Sequence, residues 1–143
     1  VFQYAKANSI TTILNPAPAK IPSQMLLDST DWFIPNEVEF ETISGLNAFD
    51  DSNLIKYSNS IESSLIVTLG EEGAAYVNKE GSVIKIKAPK VNAIDTTGAG
   101  DAFVGAFSYG IASGYTPEDA IKIGVEKASD SVTRPGTQSS YSI

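Results

Sequence analysis

The chain has 143 residues, 42% of them hydrophobic and 19% charged, with a formal net charge of −7. That is one domain's length and enough to bury a core. The acidic balance, without any Lys/Arg cluster, argues against nucleic acid and anionic membrane as partners. There is no cysteine and no histidine, which excludes a disulfide framework, thiolate chemistry, His-based metal sites and Ser-His-Asp triads. No apolar run reaches membrane-spanning length, and no signal-peptide pattern is seen. Whatever chemistry the chain carries must come from carboxylates, amides, hydroxyls and backbone.

Val1 to Asn8 reads as the end of a helix, with Val1, Phe2, Tyr4 and Ala5 as its apolar positions. Thr11-Thr12-Ile13-Leu14 is a short β-branched strand, stopped by the rigid turn Asn15-Pro16-Ala17-Pro18. Met25-Leu26-Leu27 forms a short helix or turn, and Trp32-Phe33-Ile34-Pro35 a second strand. Asn36 ends it, and Glu37 to Ile43 continues as a helix closed by Gly45. Asn36 and Glu39 lie three apart across the first turn and can face one point beyond the strand. Glu37 and Glu41 read as partners of the helix dipole, the ordinary role of acidic residues there.

Asp50-Asp51-Ser52 caps a further amphipathic helix, with Leu54, Ile55, Tyr57, Ser58 and Ile61 on its periodic positions. Leu65-Ile66-Val67-Thr68-Leu69 is an unbroken apolar strand, as the interior of a parallel sheet requires. Gly70-Glu71-Glu72-Gly73 turns the chain. Ala74 to Val77 and Ser82 to Ile86 then make a hairpin around Asn78-Lys79-Glu80-Gly81.

The stretch from Asn92 to Phe107 opens with turn-prone residues and runs into a helix whose face is Phe103, Ala106, Phe107, Gly110 and Ile111. Gly98, Ala99 and Gly100 fall at or just before its first turn. Backbone N–H groups there lack intrahelical partners, and small residues let a phosphate approach them. Asp101 stands at the mouth of that anion site and invites two readings. It is the helix N-cap, or it is a base that deprotonates a substrate hydroxyl beside a γ-phosphate. In the second reading the helix N-terminus stabilises the transferring group. A P-loop is excluded, because Gly100 is followed by Asp101 and Ala102 and not by Lys and Ser/Thr. A dinucleotide fingerprint is excluded by Phe103, where a small residue is needed.

Thr116-Pro117-Glu118-Asp119 starts the last helix, with Thr116 as cap, Pro117 at the first position and Asp119 closing a capping box. Ala120, Ile121, Gly124, Val125 and Ala128 face inward, and the helix ends near Ser131. Residues 132–140 form a polar loop. The whole pattern predicts an α/β fold of three layers, with a largely parallel sheet and a hairpin at one edge.

Asp-Thr-Thr-Gly-Ala-Gly-Asp-Ala-Phe-Val-Gly-Ala-Phe (95–107) resembles the C-terminal signature of the PfkB, or ribokinase-like, carbohydrate kinases. Further matches in family order extend over nearly the whole chain. The resemblance implies an incomplete three-layer α/β/α fold, with residues 1–143 as the nucleotide-binding and catalytic C-terminal part. The sugar-binding part and its β lid, through which such enzymes dimerise, would lie outside it. Asp101 becomes the catalytic base that contacts the sugar hydroxyl, and Gly98-Ala99-Gly100 the anion hole. Asn36 and Glu39 match the Asn-x-x-Glu motif that holds Mg2+ through water near the nucleotide phosphates, a pairing that suits a reluctantly dehydrated cation. Thr68, Leu69, Gly70, Glu71, Glu72 and Gly73 match the Thr-Leu-Gly-x-x-Gly loop along ATP. Val125 occupies a nucleotide-side position where some members place His or Asn.

Thr133 to Tyr141 resembles the segment that closes a monovalent-cation site beside the anion hole. Carried over by position, the K+ ligands are the Asp95 carboxylate, the oxygens of Thr97, Ser131, Arg134 and Gly136, and Ser140. The implied activity of the full-length protein is cytoplasmic, ATP-dependent phosphorylation of D-ribose, the chain alone being inactive. Kinases of other sugars or nucleosides, fructokinase-like or adenosine kinase-like, are the alternatives. A non-catalytic nucleotide-binding module is a further one.

Overall fold

The computed structural model describes residues 1–141 and, of Gln138, the backbone alone. Two compact units form: Val1–Leu69 with Ala75–Ile84, and Gly70–Ala74 with the chain from Lys85 onward.

The first unit contains α1 (Phe2–Ala7), β1 (Ile13–Leu14), α2 (Gln24–Leu27), β2 (Trp32–Phe33), α3 (Glu37–Ser44), α4 (Asp51–Ser58) and β3 (Ser64–Thr68). The strands β4 (Ala74–Val77) and β5 (Val83–Ile86) complete one sheet in the order β1-β2-β3-β4-β5. β1 pairs parallel with β2, and β2 with β3, placing Ile13 beside Trp32 and Phe33 beside Leu65. Parallel neighbours need crossovers, which the helices supply. β4 and β5 are adjacent and joined by a tight turn, which only an antiparallel hairpin allows. In that turn the Gly81 N–H donates to the Asn78 carbonyl (3.0 Å) and the Asn78 side chain accepts from Ser82 N–H (2.8 Å). The α/β fold, the largely parallel sheet and the hairpin are as the sequence predicts.

β3 explains its own apolar run. Leu65 and Val67 pack with Phe33, Phe40, Leu54, Ala75 and Val77 on one face. Ile66 is fully buried too but points to the other face, because side chains alternate along a strand. The core therefore demands hydrophobes at Leu65, Ile66 and Val67, the three buried positions of β3.

β1 and β2 are two residues each, where the sequence predicts four. The pairing nevertheless runs further. Ile34 N–H donates to Leu14 O (2.8 Å), Thr68 N–H donates to Pro35 O (3.0 Å), and an isolated parallel bridge joins Asn36 to Thr68. Pro16 and Pro35 have no N–H to contribute, which interrupts the ladder. α1 buries none of its expected apolar positions. Glu41, expected as a dipole partner, accepts instead from Ala48 N–H beyond the end of α3 (3.2 Å).

In the second unit α5 (Ala99–Ala112) and α6 (Pro117–Ser131) form a tight helical hairpin. A Cβ on Gly124 would meet the Phe103 ring at 2.9 Å, and one on Gly110 would meet Ala120 at 2.8 Å. These pairs run in opposite directions along the two helices, so the packing is antiparallel. Phe103, Phe107, Ala120, Ile121 and Val125 are buried, and the two phenyl rings stack. The consequence is positional: the start of α5 lies beside the end of α6 and the loop that follows. The capping box expected at Thr116 is only half made. Thr116 Oγ1 accepts from Asp119 N–H (3.2 Å), but the Asp119 carboxylate takes the Thr116 hydroxyl (2.8 Å) and Lys122 (3.1 Å). Aspartate is one methylene shorter than the glutamate such a box uses.

Candidate active site

Gly98 is the N-cap of α5, in the left-handed conformation (φ 81°, ψ 1°). A side chain is strained there whatever the space, and a Cβ would also lie 2.8 Å from Tyr141 Oη. Ala99 N–H donates to Thr96 O at 3.3 Å and Ala102 N–H to Gly98 O at 2.9 Å. Between them, the N–H groups of Gly100 and Asp101 meet no acceptor among the described residues. These open donors sit at the positive end of a 14-residue helix, which suits an anion.

Asp101 is the third residue of α5, so it is not the N-cap; that reading is removed by the position of Gly98. Its carboxylate is exposed and has no hydrogen bond or ion pair among the described residues. A carboxylate without an internal partner, one turn into an open helix N-terminus, is free to accept a proton from a bound hydroxyl.

The loop before α5 and the loop after α6 are sewn together around Asp95. Ile94 and Asp95 N–H groups both donate to Val132 O (2.7 and 3.2 Å). Asp95 Oδ1 accepts from Thr97 N–H (2.9 Å) and Oδ2 from Gly136 N–H (3.0 Å). Hydrogen bonds from Thr97, then the one from Gly136, hold the Asp95 carboxyl below its ordinary pKa. Arg134 is clamped by Asp130 at 3.0 and 3.1 Å and donates to Ser140 O at 2.9 Å.

The six residues expected to hold a monovalent cation thus come from segments that the structure brings together. The donor set fits such an ion. The carbonyls of Thr97, Arg134 and Gly136 meet no donor among the described residues, and each Asp95 oxygen keeps a lone pair. Two members are partly engaged. Ser131 O accepts from Arg134 N–H (3.3 Å), Ser131 Oγ donates to Ala128 O (2.8 Å), and Ser140 Oγ donates to Thr137 O (2.6 Å). No cluster of three or more acidic ligands exists among the described residues.

The turn Gly70–Glu72 is a 3-10 helix with Glu71 and Glu72 exposed. Gly73 closes it against the backbone of residues 86–88, where a Cβ would fall 2.0 Å from Ile86 O. The same strand end forms one wall of a cleft of about 270 Å3, with Ile86, Ala88, Pro89 and Val125 as apolar lining and Lys122 and Glu126 as polar lining. Val125, expected on the nucleotide side, is one of the residues that line this cleft.

In the first unit, Asn36 and Thr68 are bridge partners at the carboxyl ends of β2 and β3, the end of a parallel sheet where ligands bind. Leu69 is a core residue, 5% exposed, so only its backbone is available to a ligand. Asn36 and Glu39 make a full capping box: Asn36 Oδ1 accepts from Glu39 N–H and Glu39 Oε2 accepts from Asn36 N–H, both at 2.8 Å. This is a structural role for both residues. It leaves Glu39 Oε1 without a donor among the described residues, yet not enclosed, so one carboxylate oxygen can still reach water. That fits outer-sphere Mg2+ and no closer ligation.

Sequence reasoning missed two participants: Tyr141, whose hydroxyl donates to Gly98 O (3.1 Å), and Asp130, which pairs with Arg134 (3.0 Å). The (i, i+4) spacing of Asp130 and Arg134 was a usable signal. Nothing local marks Tyr141.

The parallel sheet flanked by helices makes this an α/β protein, and the open start of α5 is its place suited to an anion. Comparison with known proteins narrows the class. The family model for pfkB family carbohydrate kinases matches residues 1–143. The chain is 40% identical to ribokinase of Staphylococcus aureus over 97% of its own length and 47% of that protein. To deoxyribokinase of Salmonella typhi it is 38% identical, with the same coverage of 97% and 47%. A solved structure, ribokinase of Arabidopsis thaliana complexed with ribose and ATP, matches with a TM-score of 0.88 at 26% identity, over 99% of this chain and 47% of that one. The chain belongs to the pfkB family of carbohydrate kinases and has its ribokinase-like α/β fold. It spans about half the length of the curated relatives it matches.

Proposed function

We propose that the full-length protein transfers the γ-phosphoryl group of ATP to the 5-hydroxyl of D-ribose, and that this chain supplies the nucleotide side and the base. The observation that carries the reading is Asp101, exposed and without an internal partner, beside the open N–H groups of Gly100 and Asp101. The Asp101 carboxylate accepts the hydroxyl proton as the sugar oxygen attacks. The open N–H groups of Gly100 and Asp101 would then face the negative charge of the transferring group, while Ala99 N–H stays on Thr96 O. Adenine would lie in the cleft against Val125 and Ile86, with the backbone of Thr68 to Gly73 along the nucleotide. Asn36 and Glu39 would hold Mg2+ through water, which supplies charge neutralisation of the phosphates. Asp95, Thr97, Ser131, Arg134, Gly136 and Ser140 would hold K+ and so fix the loop that leads into α5.

Ribose is favoured by the relative at 40% identity and by the bound sugar of the Arabidopsis enzyme. The deoxyribokinase at 38% identity makes 2-deoxyribose the second reading. A cytoplasmic homodimer, joined through a lid outside this chain, follows from the family resemblance alone. Residues 1–143 on their own would be inactive, because positioning of the acceptor hydroxyl supplies much of the catalysis in phosphoryl transfer. The test is a substrate panel on the full-length protein with ATP and Mg2+. Highest kcat/KM with ribose is expected, ahead of 2-deoxyribose, fructose and adenosine. A clear preference for any of the other three would overturn the substrate assignment.

A further inference from the structure

We infer that Tyr141 is a positioning residue for the anion hole, its hydroxyl fixing the Gly98–Ala99 peptide at the head of α5. The inference rests on the phosphoryl-transfer reading above and adds a residue to it. Gly98 O accepts twice, from Ala102 N–H at 2.9 Å and from Tyr141 Oη at 3.1 Å. Gly98 has a positive φ and no side chain of its own to anchor it, and glycine visits many other conformations as readily. Its orientation must therefore be imposed from outside. One anchor stands just before it: Thr97 N–H is held by Asp95 Oδ1. The other is Tyr141, on the carbonyl of Gly98 itself.

Tyr141 is in turn delivered by a strap from the end of α6. Asp130 clamps Arg134, and Arg134 donates to Ser140 O, one residue before the tyrosine. Gly136 N–H ties the same strap to Asp95 Oδ2. Asp130, Arg134, Ser140, Tyr141, Gly98, Thr97, Asp95 and Gly136 thus form a closed circuit of hydrogen bonds and chain. With the phenol in place, the Gly98–Ala99 peptide plane has one orientation, and the amides of Gly100 and Asp101 that follow it are aimed. Without the hydroxyl, the Gly98 carbonyl keeps only the 2.9 Å bond from Ala102 N–H, made within the start of α5 itself.

The test is Tyr141→Phe in the full-length protein, which keeps the ring and removes one donor. With ATP and ribose, kcat is expected to fall about tenfold, the order of one lost positioning hydrogen bond. KM for ribose and the melting temperature should hold. In parallel, inorganic phosphate is titrated into protein labelled with 15N-glycine, and the amides of Gly98 and Gly100 are followed. Weaker phosphate binding in the variant supports the inference. Unchanged kcat together with unchanged phosphate affinity overturns it, as does a loss of melting temperature with all constants falling together. Should the wild type show no kinase activity, the phosphate arm decides alone. Weakened binding in Tyr141→Phe then upholds the positioning role while the function fails, and a wild type that binds no phosphate at Gly98 and Gly100 overturns both.

Discussion

The Asp95 carboxyl is held below its ordinary pKa, because Thr97 and Gly136 donate to its two oxygens. Its folded pKa lies below the ordinary value of 3.8. A depressed carboxylate pKa contributes stability that is full above 3.8 and is lost as pH falls through the lower folded value. The expected outcome is that the Thr97 and Gly136 amide resonances stay fixed from neutrality to about pH 4 and shift only below it. A midpoint near 6 would mean that these bonds are not the ones made in solution. The same residue separates cation from nucleotide. Potassium should activate the full-length protein, and Asp95→Ala should remove that activation more than it weakens ATP binding. Equal rates in K+ and in a bulky organic cation would contradict a cation site. Asp95 was legible as a loop carboxylate, but its two N–H partners were not, since Gly136 is 41 residues away. The case of Asp101 differs. Its alternatives turned on where α5 begins to within three residues, finer than a sequence places a helix start, and Gly98 as N-cap settled that point.

α3 shows how one pair of side chains can serve two ends. The capping box uses Asn36 Oδ1 and Glu39 Oε2, and a metal's water shell needs an oxygen left over. Glu39→Gln preserves the box chemistry and removes the charge. It should leave the melting temperature close to that of the wild type while raising the Mg2+ concentration needed for half-maximal activity. Asn36→Ala should cost about 1 kcal/mol of stability through the lost cap, read in a denaturant titration. Unchanged Mg2+ dependence in Glu39→Gln would leave the pair with its structural role only. Helices were the most legible elements because their signals are local: Asp50, Thr116, Pro117 and Gly45 all stand where caps belong. Strand β2 was overestimated because Pro35 looks apolar in sequence but breaks the ladder, and β1 because Thr12 N–H goes to the Asp31 carboxylate (2.7 Å). Tyr141 was invisible because its contact with Gly98, 43 residues away, exists only once α5 and α6 fold back on each other.

The two ends of the proposed chemistry differ in how they are supplied. The cleft at Val125, the open start of α5 and the loop tied by Asp95 all belong to the second unit, built from residues 70–74 and from Lys85 onward. The acceptor sugar is expected from sequence outside the 143 residues, which span 47% of the S. aureus relative. That division was legible from the order of motifs. No spacing within this chain could have named the sugar. Under the proposed function, the base this chain would supply is the Asp101 carboxylate. The decisive measurement is ribose-dependent ADP release by the full-length protein, as wild type and as Asp101→Asn, with ATP binding measured on both. The account predicts a fall of roughly 100-fold or more in turnover with ATP binding intact; an Asp101→Asn variant that turns over within a few-fold of the wild type would contradict it.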